Sequence, residues 1–491
     1  MSGTETAAAA PTSFAALGIS MQLVRALKML AITVPTPIQA ACIPAILQGR
    51  DVIGGAQTGS GKTLAFALPI LQNLLKDMTG GYAVVLTPTR ELAVQLQEQF
   101  LAVGQGSRMG LRCALVIGGV DMIKQANELA AQRPHVIVAT PGRLVDLLSS
   151  GAAQDWGLER CSFVVLDEAD RLLSPTFASA LSYLFSVLPS PRLRQTLLFT
   201  ATLTPEIERL TEKPPEDGKQ PPLLRKIEMD TSTPATLQQH YVLVPSHMRE
   251  PYLVHLLHDP PCRSQKTAAA TTKLADIYRT TTKARKEENS EAETPSFPLT
   301  IVFVSRGKTA ELVSRVLTEL GIANVSLHSM LPQSKRLEHL QMFRARRVPI
   351  LVSTDVGSRG LDIPDVELVV NWDVPAAWED YVHRVGRTAR KGQQGWAVSF
   401  VTEHDVSLIQ SIEEKIHKTL DVWEMPESQV LERLSAVSAA KRVASMVRTF
   451  LTYTRLCMMK SSASSRNETN AKHDVRSVLT TRPNVPSRKN S

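Results

Sequence analysis

Short apolar runs alternate with amphipathic stretches along the first 230 residues of the chain. Each run is rich in valine, isoleucine or leucine and ends in a polar or glycine-containing loop. Continuous apolar strands separated by helices predict a parallel sheet that is covered by helices on both faces. The predicted strands lie at 51–53, 83–86, 136–138, 163–166, 197–199 and 224–228.

The same pattern starts again after a segment without periodicity. We therefore assign the chain to the α/β class, with two tandem domains at 1–230 and 239–425 that are joined by a linker at 231–238. A helical segment and a flexible basic tail are predicted to follow at 426–491. The strands predicted for the second domain lie at 241–244, 301–304, 350–352, 368–370 and 397–400.

Within the second domain, residues 259–298 interrupt the strand pattern with proline, alanine, threonine, lysine and glutamate. A segment of this composition cannot bury enough apolar surface to order itself, so it predicts a disordered insertion in a surface loop. A docking site for a partner protein is the alternative interpretation.

The composition is that of a soluble globular protein, with 43% hydrophobic and 21% charged residues. No run approaches the roughly 18 apolar residues of a membrane span, and the alanine-rich start lacks the basic flank of a secretory signal. The five cysteines include no Cys-x-x-Cys pair, which argues against a zinc site or a disulfide framework. We therefore expect an intracellular protein that does not contact a membrane.

The formal net charge of +8 is concentrated in the tail, because residues 426–491 contain 12 lysines or arginines against 4 aspartates or glutamates. The body of the protein is close to neutral overall. Any nucleic acid must therefore bind the body through a local basic surface rather than through a global field. The tail itself is compatible with a solvated segment and with RNA attraction.

Two motifs together predict a magnesium nucleotide site. A glycine-rich loop at 59–63 is predicted to follow a strand and to open a helix, and the carboxylates of Asp167 and Glu168 follow the apolar run 163–166. The loop offers backbone N–H groups, Lys62 for the β and γ phosphates and a hydroxyl for the metal. Each motif alone is ambiguous, since a glycine loop is a frequent false positive and carboxylates often end a strand. Their pairing indicates an ATPase.

At this point the chain resembles the DEAD-box ATP-dependent RNA helicases, which belong to superfamily two and have two RecA-like domains in tandem. The resemblance covers about residues 14–424 and rests on many motifs in the family's order. It implies two RecA-like domains, each a parallel sheet with helices on both faces, and it implies ATP and Mg²⁺ as cofactors.

The resemblance assigns a nucleotide-binding set in the first domain and one closed-state ribose contact, Asp362, in the second. Gln39 would read the adenine edge, while Thr63 and Asp167 would hold Mg²⁺ largely through water. Ala31 and Ile32 replace the family's usual Gly-Phe pair, so we expect weaker nucleotide affinity. The nucleotide-binding set is Phe14, Ile32, Gln39, Ala56, Gln57, Thr58, Gly59, Ser60, Gly61, Lys62, Thr63 and Asp362.

In the second domain, residues 383–390 resemble the family's arginine-finger motif, and Arg387 and Arg390 would be the fingers. A guanidinium group on the γ-phosphate can accelerate transfer by roughly 10³ to 10⁵. Ala389 replaces the usual glycine of this motif, a change that we expect to cost little. Because Lys62 lies in the other domain, the site would be complete only when the domains close.

The resemblance also implies residues that couple hydrolysis to unwinding. Thr200 stands where the family usually has serine, and we expect its extra methyl group to affect this coupling first. Lys62, Asp167, Glu168, Arg387 and Arg390 form the predicted catalytic set, with Glu168 as the general base for the attacking water. The predicted coupling set is Asp170, Thr200, Thr202 and His383.

Loops that follow strands in both domains carry small, hydroxylated or basic residues that suit phosphate contacts without base recognition. Taken singly, each is more often a loop or a helix cap, and only the ordered series indicates a groove. The preference for RNA over DNA is implied by the family. The predicted RNA-binding residues are Pro88, Thr89, Arg90, Gly119, Thr140, Gly142, Arg143, Arg306, Gln333, Arg336, Thr354 and Gly357.

The expected activity is local, non-processive separation of short RNA duplexes. The amino-acid sequence of segments such as 197–204 and 327–330 is similar to that of nucleolar helicases of small-subunit ribosome biogenesis. This similarity implies pre-rRNA as a partner, a protein cofactor that tunes the ATPase, a nucleolar location, and a monomer or a member of a pre-ribosomal complex. An ATP-gated RNA clamp without unwinding and a DNA translocase are the alternatives.

Overall fold

Two seven-stranded parallel sheets form the framework of the protein. The computed structural model describes residues 13–57, 59–150, 156–212, 219–227, 236–262, 297–355, 363, 366–389 and 393–446. Several predictions fall outside these residues: the site residues Thr58, Gly357, Asp362 and Arg390, most of the linker and of the insertion, and the tail from 447 onward.

The first sheet has the strand order β3-β4-β2-β5-β6-β1-β7. Its strands are β1 (Val52–Gly55), β2 (Ala83–Leu86), β3 (Cys113–Val116), β4 (Val136–Ala139), β5 (Phe163–Asp167), β6 (Gln195–Thr200) and β7 (Leu223–Lys226). Its helices are α1 (Met21–Met29), α2 (Pro37–Leu47), α3 (Lys62–Leu74), α4 (Arg90–Gly106), α5 (Met122–Gln132), α6 (Pro141–Ser149), α7 (Ala169–Leu172), α8 (Ala178–Val187) and α9 (Pro205–Glu212).

The second sheet repeats this arrangement with the order β10-β11-β9-β12-β13-β8-β14. Its strands are β8 (Leu237–Leu243), β9 (Thr300–Phe303), β10 (Asn324–Leu327), β11 (Ile350–Ser353), β12 (Leu368–Asn371), β13 (Gly395–Val401) and β14 (Asp421–Val422). Its described helices are α10 (Arg249–His258), α11 (Gly307–Glu319), α12 (Gln333–Arg344), α13 (Trp378–Val385), α14 (Val406–Ile416) and α15 (Glu427–Glu432).

Successive strand residues face opposite layers of the core, which confirms helices on both faces of each sheet. In β5, Val165 belongs to the apolar cluster under α1 to α4, whereas Val164 belongs to the cluster under α5 to α9. In β12, Val370 and Val369 divide in the same way between two clusters. Since both sides of central strands such as β5 and β12 are buried, apolar side chains are favoured at every position, and this explains their continuous valine and leucine runs.

The domain boundaries differ slightly from the prediction. β8 begins at Leu237, inside the segment predicted as linker, so the second domain starts two residues before 239. Its core also extends beyond 425, because α15 and the helical residues 434–446 contribute Val430, Val437 and Ala444 to the apolar cluster around α10. In the part of the chain that the structure describes, no helix is long and apolar enough to cross a membrane.

Helix α1 ends in a hydrogen-bonded cap that needs a left-handed residue. Ile32 N donates to Leu27 O at 2.9 Å and Ala31 N donates to Lys28 O at 3.0 Å, the bonding pattern of a Schellman motif. Ala31 adopts φ +58°, a backbone conformation that glycine adopts without steric cost. The position where the family usually has glycine is therefore strained here by its alanine.

We expect Ala31→Gly to raise the free energy of unfolding of the first domain by about 0.5 to 1 kcal/mol, because relief of strain outweighs the entropy that glycine adds to the unfolded chain. The measurement is the thermal unfolding midpoint. Ala130→Gly, on the exposed side of α5, serves as the control and should lower stability by roughly 0.5 to 1 kcal/mol. Equal destabilisation by the two changes would show that Ala31 is not strained.

Candidate active site

The glycine-rich loop between β1 and α3 has the backbone conformation of a phosphate cradle. Gly59 and Gly61 have φ of +85° and +90°, and Gly61 is the N-cap of α3. A Cβ atom on Gly61 would also collide with the side-chain amide of Gln39, and together with the left-handed φ this favours glycine there. The N–H groups of the first turn of α3 are consequently available for an anion.

Lys62 lies between this loop and the acidic residues of the first domain. Its Nζ donates to Ala56 O at 2.5 Å and to Gln57 O at 3.0 Å. Desolvation lowers the pKa of Lys62 to about 8; the carboxylates of Asp167 and Glu168 oppose this shift and Arg387 adds to it. A second-domain arginine thus acts electrostatically on the phosphate-loop lysine.

Two nearly buried carboxylates end the neighbouring strand β5. Asp167 and Glu168 are each 5% exposed, and burial raises the pKa of Asp167 to about 6, against the opposing effect of Lys62. Glu168 adopts φ +54° and ψ +53°, a left-handed conformation that costs roughly 1 kcal/mol for a residue with a side chain. Backbone strain of this kind clusters at functional sites.

The oxygen donors near the loop suit Mg²⁺, which prefers carboxylate and hydroxyl ligands and retains several waters. A cation would favour the ionised form of Asp167, which burial disfavours. Thr63 stands one residue after Lys62 in the first turn of α3. Among the described residues, no cluster of three or more histidine, cysteine, aspartate or glutamate side chains is arranged to hold a metal.

The four residues predicted to couple the two domains lie together. Asp170 Oδ2 accepts a hydrogen bond from Thr202 Oγ1 at 2.6 Å and lies 3.0 Å from His383 Nε2 of the second domain. Thr200 Oγ1 donates to Thr202 O at 2.7 Å and accepts from Thr202 N at 3.2 Å. The extra methyl group of Thr200 therefore leaves the hydroxyl contacts intact.

Arg387 follows α13 and is 1% exposed. Its Nε donates to His383 O at 3.4 Å, so the predicted finger is hydrogen-bonded to the backbone of the histidine that contacts Asp170 of the first domain. Ala389, two residues later, has φ +58° and is buried. A left-handed alanine is strained by about 1 kcal/mol, a backbone cost that the usual glycine would avoid.

The residues predicted to recognise the base are engaged by the protein itself. Gln39 Oε1 accepts from Thr36 N and Gln39 Nε2 donates to Gly61 O, both at 3.0 Å. Gln39 therefore connects the capping box of α2 to the phosphate loop. Phe14 is buried in the first core cluster, and Ile32 packs against the same cluster but remains partly exposed; their assignment to the nucleotide pocket stays a prediction.

Two residues predicted to bind RNA contact the first domain in this structure. Arg336 Nη2 lies 2.8 Å from Glu91 Oε1, and Gln333 Nε2 donates to the same oxygen at 3.1 Å. The charged groups of this ion pair are almost fully buried. Glu91 is not among the residues predicted from the sequence to have a role, although it lies in the first turn of α4, directly after a predicted phosphate-contact loop.

The remaining first-domain groove residues lie in loops at the carboxyl ends of β2, β3 and β4. The guanidinium of Arg90 lies against Gly118 and Gly119, where added Cβ atoms would come within 2.8 Å and 2.6 Å of its nitrogens. Arg143 Nη1 donates to Val120 O at 2.8 Å, which holds the loop after Gly119. Thr89 caps α4 by accepting a hydrogen bond from Leu92 N, whereas Thr140 stands at the N-cap position of α6 without a side-chain capping bond. Pro88 is partly buried, and Gly142 has open space around it.

In the second domain, Arg306 and Thr354 lie in the loops at the carboxyl ends of β9 and β11. Arg306 is exposed and precedes the first residue of α11, while Thr354 follows β11 and is buried. Gln333 also approaches the first domain here, with its Cβ 3.8 Å from the place where a Gly119 side chain would begin. The two rows of strand-end loops therefore adjoin.

A nucleotide site that takes its lysine from one parallel-sheet domain and an arginine from another is characteristic of helicase-type ATPases. Residues 36–210 match the model of the family "DEAD/DEAH box helicase", and residues 286–392 match "Helicase conserved C-terminal domain". The chain belongs to the DEAD-box ATP-dependent RNA helicases, enzymes that hydrolyse ATP.

Similar proteins agree with this assignment. The chain is 59% identical over 457 residues to "ATP-dependent RNA helicase DBP8" of Mycosarcoma maydis, covering 89% of this chain and 86% of that protein. It is 48% identical over 437 residues to the Schizosaccharomyces pombe protein called "ATP-dependent RNA helicase dbp8", covering 88% of each. Among solved structures, "Mss116p (NTE and C-tail double deletion) bound to ssRNA and AMP-PNP" matches with a TM-score of 0.72 at 25% identity, over 92% of this chain and 88% of that one.

Proposed function

We propose that this helicase separates short RNA duplexes locally and non-processively, by closing its two domains around ATP and one RNA strand. The observation that carries the proposal is the set of contacts between the domains: Asp170 with His383, Glu91 with Arg336, and the electrostatic effect of Arg387 on Lys62. Groups from both domains are needed for one site, so nucleotide binding is tied to closure.

In this proposal, each group has a role that fits its position. Lys62 exchanges its bonds to the loop carbonyls for phosphate oxygens, Glu168 accepts a proton from the attacking water, and Arg387 stabilises charge on the γ-phosphate. Mg²⁺, held by Thr63 and Asp167, would neutralise charge on the β and γ phosphates when bound. Loss of the γ-phosphate removes the ligand of Arg387, and the domains then reopen.

The groove residues support binding to the phosphate backbone rather than to bases. The guanidinium of Arg90 lies against Gly118 and Gly119 in the first domain, and Arg306 is exposed at the adjoining edge of the second domain. Both arginines can therefore approach an RNA strand that crosses the boundary between the domains. Contacts of this type do not specify sequence. The enzyme should therefore act on many short helices and should release a strand after each closure, without translocation along it.

We further propose that the substrate is pre-rRNA and that the protein acts in the nucleolus during assembly of the small ribosomal subunit. Support comes from the amino-acid sequence of segments 197–204 and 327–330, which is similar to that of nucleolar helicases of this pathway. A protein cofactor that tunes the ATPase and membership of a pre-ribosomal complex belong to the same proposal. Crosslinking of the protein to cellular RNA, followed by sequencing, is the test; crosslinks spread over messenger RNA would refute it.

The activity itself is tested with purified protein and duplexes of about one and about three helical turns. We expect ATP-dependent separation of the short duplex only, and stimulation of ATP hydrolysis by RNA but not by DNA. Glu168→Gln should retain ATP-dependent RNA binding and lose both hydrolysis and repeated strand separation. RNA-stimulated hydrolysis without separation of either duplex would favour an RNA clamp, and equal stimulation by DNA would favour a translocase.

A further inference from the structure

Asp373, two residues after the end of β12, lies between three elements of the second domain. Its Oδ2 accepts a hydrogen bond from Ser305 N at 2.8 Å, and its Oδ1 lies 2.6 Å from Arg249 Nη1 at the start of α10. Its backbone carbonyl accepts a hydrogen bond from Arg384 Nη1 at 2.7 Å. Both carboxylate oxygens and the carbonyl of Asp373 are thus in use, in a position where the side chain is 23% exposed.

These contacts connect the loop that carries Arg306 to helix α13, which precedes Arg387. Ser305 precedes Arg306, the exposed groove residue, and its N–H fixes where that loop leaves β9. Arg384 lies one helical turn before Arg387 and is itself held by Asp355, whose Oδ1 accepts from Arg384 Nε at 2.7 Å. Asp373 therefore connects the arginine-bearing helix α13 directly to the loop that carries Arg306.

We propose that Asp373 is a positioning residue for RNA binding: it holds the Arg306 loop at a fixed place relative to the arginine-bearing helix. The inference rests on the proposed function, since the role of Arg306 in the groove is part of that proposal. Hydrogen bonds to a carboxylate are stronger than neutral ones, so the loop is held more firmly than by a turn alone. Asparagine would leave only one acceptor oxygen for Ser305 and Arg249.

The neighbouring carboxylate Asp405 provides a matched control. Its Oδ2 lies 3.4 Å from Arg249 Nη2 and accepts from Thr402 Oγ1 at 2.6 Å. Asp405 thus shares the arginine partner of Asp373 but makes no described contact with the Arg306 loop. Asp405→Asn should disturb the packing of α10 to a similar degree while leaving the RNA groove in place.

The test is a double-mutant cycle with Asp373→Ala and Arg306→Ala, measured as the RNA concentration that gives half-maximal ATP hydrolysis and as kcat at saturating RNA. Loss of two bonds to a charged group should raise the half-maximal concentration about tenfold with kcat within about twofold. Adding Arg306→Ala to Asp373→Ala should raise it by no more than about twofold further, because the loop is already displaced. Asp373→Asn should give an intermediate value and Asp405→Asn a value near the wild type.

Several results would overturn the inference. Additive effects of the two changes would mean that Asp373 acts on stability and not on the Arg306 loop, and so would an equal effect of Asp405→Asn. The absence of any effect of Arg306→Ala would remove the contact that Asp373 is argued to position. A wild-type protein whose ATP hydrolysis ignores RNA would refute the proposed function itself, whereas an RNA-stimulated wild type matched by Asp373→Ala would refute only this inference.

Discussion

Replacing Arg387 with alanine should lower the rate of RNA-stimulated ATP hydrolysis by about 10³-fold, with ATP binding to the open protein nearly unchanged. Arg387 is buried and acts electrostatically on Lys62 of the other domain, so its charge belongs to the assembled site rather than to the first domain alone. In the proposed mechanism its guanidinium stabilises charge that develops during γ-phosphate transfer, and alanine would remove that stabilisation while the phosphate loop stays intact. The measurement is kcat with saturating RNA and the Kd of a fluorescent ATP analogue.

Arg387→Lys and Arg315→Ala are the controls for this prediction. Lysine retains the charge but not the planar fork of donors, so Arg387→Lys should recover only a small part of the rate. Arg315 pairs with Glu311 on α11 at 2.8 Å, far along the chain from the finger motif, and its loss should leave kcat within about twofold. An Arg387→Ala enzyme that turns over within tenfold of the wild type would exclude Arg387 as the finger.

Replacing Glu91 with glutamine should weaken RNA binding in the presence of a non-hydrolysable ATP analogue by about 100-fold. Glu91 accepts from Arg336 and Gln333 across the domain interface, and breaking a buried pair leaves a charge that costs roughly 3 to 5 kcal/mol. In the proposed mechanism that cost applies only to the closed state, in which Arg336 is buried, because separation of the domains would expose Arg336 to water. Closure, and with it RNA binding, therefore becomes less favourable, while ATP affinity of the open protein is retained.

Glu98→Gln tests whether the effect is specific to the interface, since Glu98 is exposed on the same helix α4 and undergoes the same chemical change. It should bind RNA as the wild type does. The double variant Glu91→Gln with Arg336→Gln removes both charges and should recover part of the loss, because no buried charge is left alone. Equal RNA binding by Glu91→Gln and Glu98→Gln would show that this pair does not support the closed state.

The central strands could be predicted from sequence because burial on both faces requires apolar residues at every position. Three of the four edge strands, β3, β10 and β14, could not be predicted. β10 contains Asn324 and Ser326, and β14 is two exposed residues long, so neither carries a continuous apolar run. β3 also lies at an edge of its sheet, and its start at Cys113 and Ala114 lacks β-branched side chains. Its place in the sheet is set by pairing with β4 instead.

In the candidate site too, features set by local sequence could be predicted, whereas features set by tertiary contacts could not. The phosphate loop and the carboxylates after β5 follow from local spacing, so their positions could be predicted. The use of Arg336 and Gln333 at the interface, and the burial of Phe14, depend on which surfaces meet after folding. The strain at Ala31 and Ala389 is a backbone property that residue type alone does not show.

The most direct test of the shared site is the distance between the two domains in solution. Dyes attached at the exposed positions Glu128 and Glu338, one in each domain, would report closure by energy transfer. We predict that the transfer efficiency changes to that of a closed state only when an ATP analogue and RNA are both present, and that Glu91→Gln reduces this change. An efficiency that responds fully to ATP alone, or that does not respond to the two ligands together, would contradict a site completed by domain closure.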